Sequence, residues 1–261
     1  MADWLLRNFP TTVLALIVLV GLPAAAAFGC IAFRRRALHL IQATENDVAG
    51  VIVSILAGIY GIVVAFVIVV LWEDLRNAQE IASTEANAVA QMVQDSQVFP
   101  SPNRLAVSEA VREYVHAIVD DEWPAMRDHR ESARAEAAVS RLYDSLRAYD
   151  PNTNAESSFY QDASANLDQV DTSRRERIRL SRRGLPGVLQ VLIVGGAWLI
   201  IAFTYFFGIE KQSVHVLMSG GIALLLGFTL LLAVLLQSPF SGDIAVSSKV
   251  FREGILARFF R

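Results

Sequence analysis

One cysteine, Cys30, stands in 261 residues. A single thiol excludes an intramolecular disulfide and any zinc site built from several thiolates. Near the end of an apolar stretch, it reads as a buried or lipid-facing group. The four histidines, His39, His116, His129 and His215, offer no pair on one helix turn. His215, at the mouth of the last apolar stretch, reads as an interfacial amphipathic residue. No glycine-rich phosphate loop, Walker lysine motif, His-Glu-x-x-His or Gly-x-Ser-x-Gly pattern occurs. Without a nucleophile, metal cluster or phosphate loop, an enzyme is not expected, nor is a cofactor. No long basic run suits a nucleic-acid backbone.

Charge is missing from four long stretches: Thr11 to Phe33, Val48 to Leu71, Val188 to Ile209 and Ser213 to Pro239. A bilayer asks for about 20 apolar residues per helix. A mean hydropathy of +0.40 hides this partition, because Glu73 to Gly187 holds 20 acidic and 14 basic residues, a net of -6. The reading is an all-α integral membrane protein. Its four transmembrane helices carry a cytoplasmic helical domain inserted between spans two and three. The expected divisions are an N-terminal membrane hairpin over 1–72 (spans about 11–33 and 48–72) and a helical domain over 73–187. A second hairpin over 188–236 (spans about 188–208 and 214–236) and a cytoplasmic tail over 237–261 follow. The first stretch exceeds a signal-peptide core and ends in Arg34, Arg35 and Arg36, so it is read as retained. Pro23 inside it predicts a kink.

Proline and glycine are absent between Gly61 and Pro100. Span two therefore continues past Trp72 as one long helix to about Gln97. Its apolar stripe runs through Ala78, Ile81, Ala82, Ala88, Val89, Met92 and Val93, broken at Glu85. Three further amphipathic segments are predicted. One follows Asn103, with Leu105, Val111, Tyr114, Val115 and Ile118 inward, and ends near Trp123-Pro124. The next covers Asp128 to Tyr149, through Ala135, Ala138, Val139, Leu142 and Leu146. The last covers Glu156 to Arg183, through Phe159, Ala163, Leu167 and Val170. The final stretch, Val246 to Phe260, is expected to be an amphipathic helix on the membrane surface, anchored by Phe251, Phe259 and Phe260.

Charge near the span ends sets orientation. One side carries Arg7, Arg76, Arg174, Arg175, Arg177, Arg179, Arg182, Arg183, Lys249 and Arg252; the other carries Arg34, Arg35, Arg36 and Lys211. The positive-inside rule then puts both termini and residues 73–187 in the cytoplasm, with the three arginines after span one arguing the other way. A multi-pass protein of the cell inner membrane is expected.

No acid or base lies within a span, which argues against a proton-coupled pump but leaves a channel open. Gly50, Ser54, Ala57, Gly61 and Ala65 recur at helical spacing in span two. Such a strip serves either helix packing within one subunit or a pore wall and subunit seam. Tyr60 brings a hydroxyl that needs a partner in mid-span. Asp120, Asp121 and Glu122 fit either a cation site or a partner for the arginines at 174, 175 and 177.

Several stretches, taken together, resemble the bestrophin-like domain family, a largely bacterial membrane family. They are Tyr60 to Phe66 with Trp72-Glu73, Ala78 and Glu85-Ala86; Tyr114 with Glu122-Trp123-Pro124; Arg174-Arg175 with Arg177; and Pro239-Phe240-Ser241-Gly242. The likeness runs from Val48 to Val250. It implies two N-terminal spans, a helical cytoplasmic region and two C-terminal spans. A more distant resemblance to bestrophins implies a homo-oligomeric, pentameric ion channel passing chloride or other small anions, with span two lining the pore. Pore-lining candidates are then Ser54, Ala57, Tyr60, Gly61, Ala65 and Phe66. The family-motif residues of the soluble region are Glu73, Glu85, Tyr114, Glu122, Trp123, Pro124, Arg174, Arg175, Arg177, Pro239, Phe240 and Gly242. The bestrophin calcium pattern has no counterpart here, so metal ligands are unassigned. The expected partners are the lipid bilayer, further copies of the chain and small inorganic ions. A non-conducting scaffold or signalling protein, whose cytoplasmic helices bind a partner, is the other class.

Overall fold

The computed structural model describes residues 10–37 and 46–261. Arg7, His39 and the polar connection after Ala37 lie outside them. Every regular element among the described residues is helical: α1 (Thr11–Leu16), a π turn (Ile17–Gly21), α2 (Leu22–Ala37), α3 (Asn46–Asp95), α4 (Ser101–His116), a second π turn (Ala117–Glu122), α5 (Trp123–Arg127), α6 (Ala133–Arg147), α7 (Asn154–Ser181), α8 (Gly187–Thr204) and α9 (Gln212–Leu236). Short 3-10 segments cover Ser96–Val98, Ser248–Arg252 and Gly254–Phe260.

The chain forms two compact units. The first holds the described residues up to Glu73, with Gly184–Ser238 and Gly242–Ile244. Four helical stretches are long and apolar enough to cross a membrane: Thr11–Arg36, Gly50–Val98, Gly187–Thr204 and Gln212–Leu236. Ala26, Ala197, Ile200, Ile201, Ala223 and Leu226 form this unit's core, so small side chains let α2, α8 and α9 approach closely. Span one carries its irregularity before the proline. The π turn at Ile17–Gly21 sits where the ring of Pro23 would crowd the carbonyl four residues back. Span three ends at Thr204, short of the expected 208. There Tyr205 and Phe206 close tighter bonds to Ala202 and Phe203, and both rings meet Phe33.

His215, in the first turn of α9, is a correction: it is buried against other helices rather than an exposed amphipathic residue. Its Nε2 lies 2.8 Å from the Thr204 carbonyl and its Nδ1 3.3 Å from Arg34 Nη1. Arg34 also donates to the Ile209 and Glu210 carbonyls at 2.5 and 3.3 Å, closing the α8–α9 connection. Helix capping rather than hydropathy brings this histidine inside.

The second unit holds Asp74–Arg183, Pro239–Ser241 and Ala245–Arg261. Its core joins Ala82, Val89, Met92 and Val93 of α3 with Val107, Val111 and Tyr114 of α4, Leu142 of α6 and Leu167 of α7, all fully or almost fully buried. Leu105 and Phe159, expected inward, are exposed; Val107 takes the inward place, because it shares a face with Val111, Tyr114 and Ile118. The helix expected from Asp128 begins at Ala133, since the chain first turns back after α5. Ser132 then caps α6 by accepting from the Ala135 N–H at 3.2 Å. Thr153 caps α7 in the same way through the Glu156 N–H at 3.1 Å.

The tail also departs from expectation. It is two 3-10 segments within the second unit, not one surface helix. Phe251 is fully buried with its ring 5.8 Å from Trp123, and Leu256 is buried too. Gly254, at φ 58, interrupts the run in a conformation few side chains tolerate. Burying these apolar residues against protein removes the lipid anchor assigned to Phe251.

Candidate functional site

Two places gather residues of interest, one in each unit. The first is span two within α3. Ser54, Ala57, Gly61 and Ala65 are all exposed on the single chain. At about 100° per residue they share one helix face. Among the described residues, nothing lies within 4 Å of the Cβ that Gly58 or Gly61 would carry. Ser54 returns its hydroxyl to the Gly50 carbonyl at 2.8 Å, so its oxygen costs little on an apolar face. Phe66 is also exposed but one residue past Ala65, about a quarter turn round the helix. Tyr60 is placed apart from these. Its hydroxyl donates to the Ile193 carbonyl at 2.7 Å, and its ring fills the space above Gly196, where a Cβ would meet it at 2.5 Å. The mid-span hydroxyl thus finds its partner in α8, whereas the small-residue face at Ser54, Ala57, Gly61 and Ala65 stays exposed among the described residues.

The second place is a buried charge network in the second unit. Glu85 interrupts the apolar stripe of α3 and is fully buried. Arg177 of α7 donates to it twice, Nε to Oε2 at 2.7 Å and Nη2 to Oε1 at 2.9 Å. The Tyr114 hydroxyl donates to the same Oε1 at 2.7 Å. Glu122 accepts from Arg177 Nη2 at 2.8 Å and from Arg174 Nη2 at 2.6 Å. Arg174 Nη1 reaches out to Glu136 at 2.6 Å, a carboxylate largely in solvent. The π turn before α5 sets Glu122 inward, where an extra residue per turn shifts side-chain phase. Trp123 follows it, its ring 4.9 Å from the Arg177 guanidinium, and its indole N–H donates to the Val246 carbonyl at 3.0 Å. Phe240 meets the same indole edge-on at 5.8 Å.

The electrostatics close within the network. Two arginines face two buried carboxylates. Burial opposes both guanidinium charges, but the hydrogen bonds and charges of Glu122 and Glu136 around Arg174, and of Glu85 and Glu122 around Arg177, outweigh it and keep them protonated above the usual arginine range. Burial, then the Glu85 charge, pushes the Tyr114 phenol well above its ordinary value, so it stays a donor. Buried ion pairs survive only when each lone pair and proton is matched in this way.

Of the family-motif residues, Glu85, Tyr114, Glu122, Trp123, Arg174, Arg177 and Phe240 therefore converge. Pro239 accepts the Val246 N–H at 2.8 Å through its carbonyl, and Gly242 turns the loop between them at φ 89. Arg175 faces solvent and pairs with Asp171; Pro124 and Glu73 are exposed. Of the two readings of the acidic cluster, pairing with the arginines is the one seen: Glu122 accepts from Arg174 and Arg177, and Asp121 pairs with Arg134 at 2.7 Å. Sequence reasoning missed Glu136 and Met126, whose sulfur lies 3.0 Å from Arg177 Nη1. Neither breaks a pattern; only the break at Glu85 advertised a buried charge.

Four apolar helices, with no strand among the described residues, define a multi-pass helical membrane protein. More particularly, the chain belongs to the Bestrophin-like domain family, whose model matches residues 20–251. A crystal structure of a membrane protein is similar in fold, with a TM-score of 0.66 at 14% identity over 94% of each chain. No curated protein matches.

Proposed function

We propose that the protein is an oligomeric, bestrophin-like channel that passes anions passively, with span two lining the pore. The observation that carries this reading is the small-residue face at Ser54, Ala57, Gly61 and Ala65, exposed among the described residues. Phe66 supplies a bulky ring on an adjacent face. A helix rich in small residues suits close approach to copies of itself, with a conduit between them. By the bestrophin analogy the assembly is a pentamer in the inner membrane. On charge bias, both termini and residues 73–187 face the cytoplasm. Exposed Arg76, just beyond the apolar part of α3, concentrates anions at the inner end. The activity is conduction rather than catalysis.

A second reading, a non-conducting scaffold, draws on the acidic soluble region, whose net of -6 repels anions and suits a basic partner. Flux separates the two. Purified protein in liposomes, with chloride and potassium gradients tested apart, is expected to pass chloride above the empty-vesicle rate. Gly61→Trp or Ala57→Trp abolishes that flux while leaving each subunit folded. Absence of flux for both ions, from folded oligomeric protein, moves the assignment to the scaffold.

A further inference from the structure

In the second unit, one exposed helix face is uncharged where its neighbours are not. Between Ile81 and Val98 the chain holds two charged residues, Glu85 and Asp95, and both are buried. Glu85 sits in the network, and Asp95 accepts from the Gln91 and Asn166 amides at 2.9 and 3.0 Å. The residues that α3 leaves exposed or half-buried here include Ser83, Thr84, Asn87, Ala90, Gln91 and Gln94. The other long helices of the unit expose charge: Glu109 and Arg112 on α4, Arg134 and Asp144 on α6, Asp162 and Arg179 on α7. A helix that meets only water gains nothing by shedding ions. Depletion of charge is instead the mark of surface buried against another protein.

Spacing and chemistry select the occupant, a second copy of the same helix. Ser83, Asn87, Ala90 and Gln94 follow at steps of four, three and four, the spacing by which parallel helices keep one seam. The same helix contains span two. Copies inserted with one orientation therefore have α3 running the same way, and around an axis along the membrane normal each residue meets its counterpart at the same height. A lysine or glutamate would repel its own copy there. An amide or a hydroxyl both donates and accepts, so it pairs with itself. The Asn87 and Gln94 amides have no hydrogen-bond partner among the described residues. Ser83, Ala86, Asn87 and Ala90 also form one wall of a groove of about 310 Å³, with Gly254 and Leu256 of the tail on the other side. That groove gives side chains of a neighbouring copy a place to enter.

We propose that this face of α3 is a seam between copies, at which Asn87 and Gln94 of one subunit meet those of the next. It rests on the oligomer in the reading above and not on conduction. An asparagine in such a seam also fixes its register, because a slipped copy sets the amide against Ala90.

Cross-linking of the full-length protein in native membranes tests it. Cys30→Ser removes the single native thiol. Asn87→Cys, Gln94→Cys and a control on exposed α6, Ser140→Cys, are then made one at a time. A bis-maleimide reaching about 10 Å, the spacing of packed helices, is expected to trap dimers and larger species at 87 and 94 and none at 140. Charge gives a second readout in the otherwise native chain. Asn87→Glu and Asn87→Lys, made singly, are each expected to shift dissociation of the detergent-purified oligomer to roughly tenfold higher protein concentration, and co-expression of the two to reverse the shift. Cross-linking at 87 and 94 no greater than at 140 overturns the seam, as do charge variants that dissociate like wild type. A channel that passes chloride yet fails both tests overturns the seam alone. A cross-linked oligomer that passes no ion leaves the seam standing and overturns only the pore.

Discussion

The exposed face of span two and the buried network around Arg177 are opposite solutions to the same sequence problem, a residue out of place in its helix. In the second unit, Glu85 breaks an apolar stripe, and the chain supplies every partner it needs. In the first unit, small residues interrupt a run of Val and Ile; Tyr60 beside them is partnered by α8, while Gly61 has no neighbour within 4 Å of its Cβ position among the described residues. A feature completed internally belongs to the fold of one subunit. A feature left incomplete points outside it, which is why the candidate pore lies on span two and not on the network.

Breaking the network has the largest expected effect. Arg177→Met leaves Glu85 and half of Glu122 buried without a cation, and removing one partner of such a pair costs about 3–5 kcal/mol. Denaturant unfolding in detergent reads this as a lower midpoint. Replacing Arg177, Glu85 and Glu122 together by apolar residues of similar size is expected to recover much of the loss, because no orphan charge remains. A triple variant as unstable as the single one means the ionic pairing itself, rather than its completeness, holds the unit.

Two glycines, Gly61 of span two and Gly196 of span three, sharpen the contrast at a smaller scale. A Cβ at Gly196 meets the Tyr60 ring at 2.5 Å, whereas one at Gly61 meets nothing within 4 Å among the described residues. Gly196→Ala is expected to destabilise by about 2 kcal/mol through overpacking against a rigid ring. Gly61→Ala leaves the stability of the isolated subunit unchanged. Thermal unfolding of detergent-dispersed monomer compares them. Equal losses at both positions mean that Gly61 packs within the chain and that the face is no seam.

How far the sequence carried this depends on the physics of each feature. The four spans were legible because an uncharged run of that length has one stable form in lipid. The long α3 was legible because nothing breaks it between Gly61 and Pro100. The pairing of Glu122 with Arg174 and Arg177 was one of two open readings, since contacts 52 and 55 residues apart leave no local trace. The tail was misread because an amphipathic run covers a protein groove as readily as a membrane surface, and the Gly254 break is the signal that distinguishes them. His215 was misread because its partners, Thr204 and Arg34, come from other helices.

The smallest effect concerns Tyr114, and its value lies in the pH dependence. Tyr114→Phe removes one donor from Glu85, which keeps both bonds from Arg177. The loss is therefore that of a single bond to a charged group, about 1.5 kcal/mol, and not that of an orphaned carboxylate. The phenol adds a term that appears only in base. Its folded value is raised by burial and by Glu85, so the folded state keeps a proton that the unfolded chain gives up above about pH 10. Fewer protons on the unfolded chain mean that stability falls as pH rises through that range. The contribution is complete below the ordinary tyrosine value and is lost above it. Unfolding midpoints of wild type and Tyr114→Phe should therefore differ most near neutral pH and converge in strong base. A gap that stays constant up to the alkaline limit means that Tyr114 ionises freely in the folded protein, and that the network is open to water.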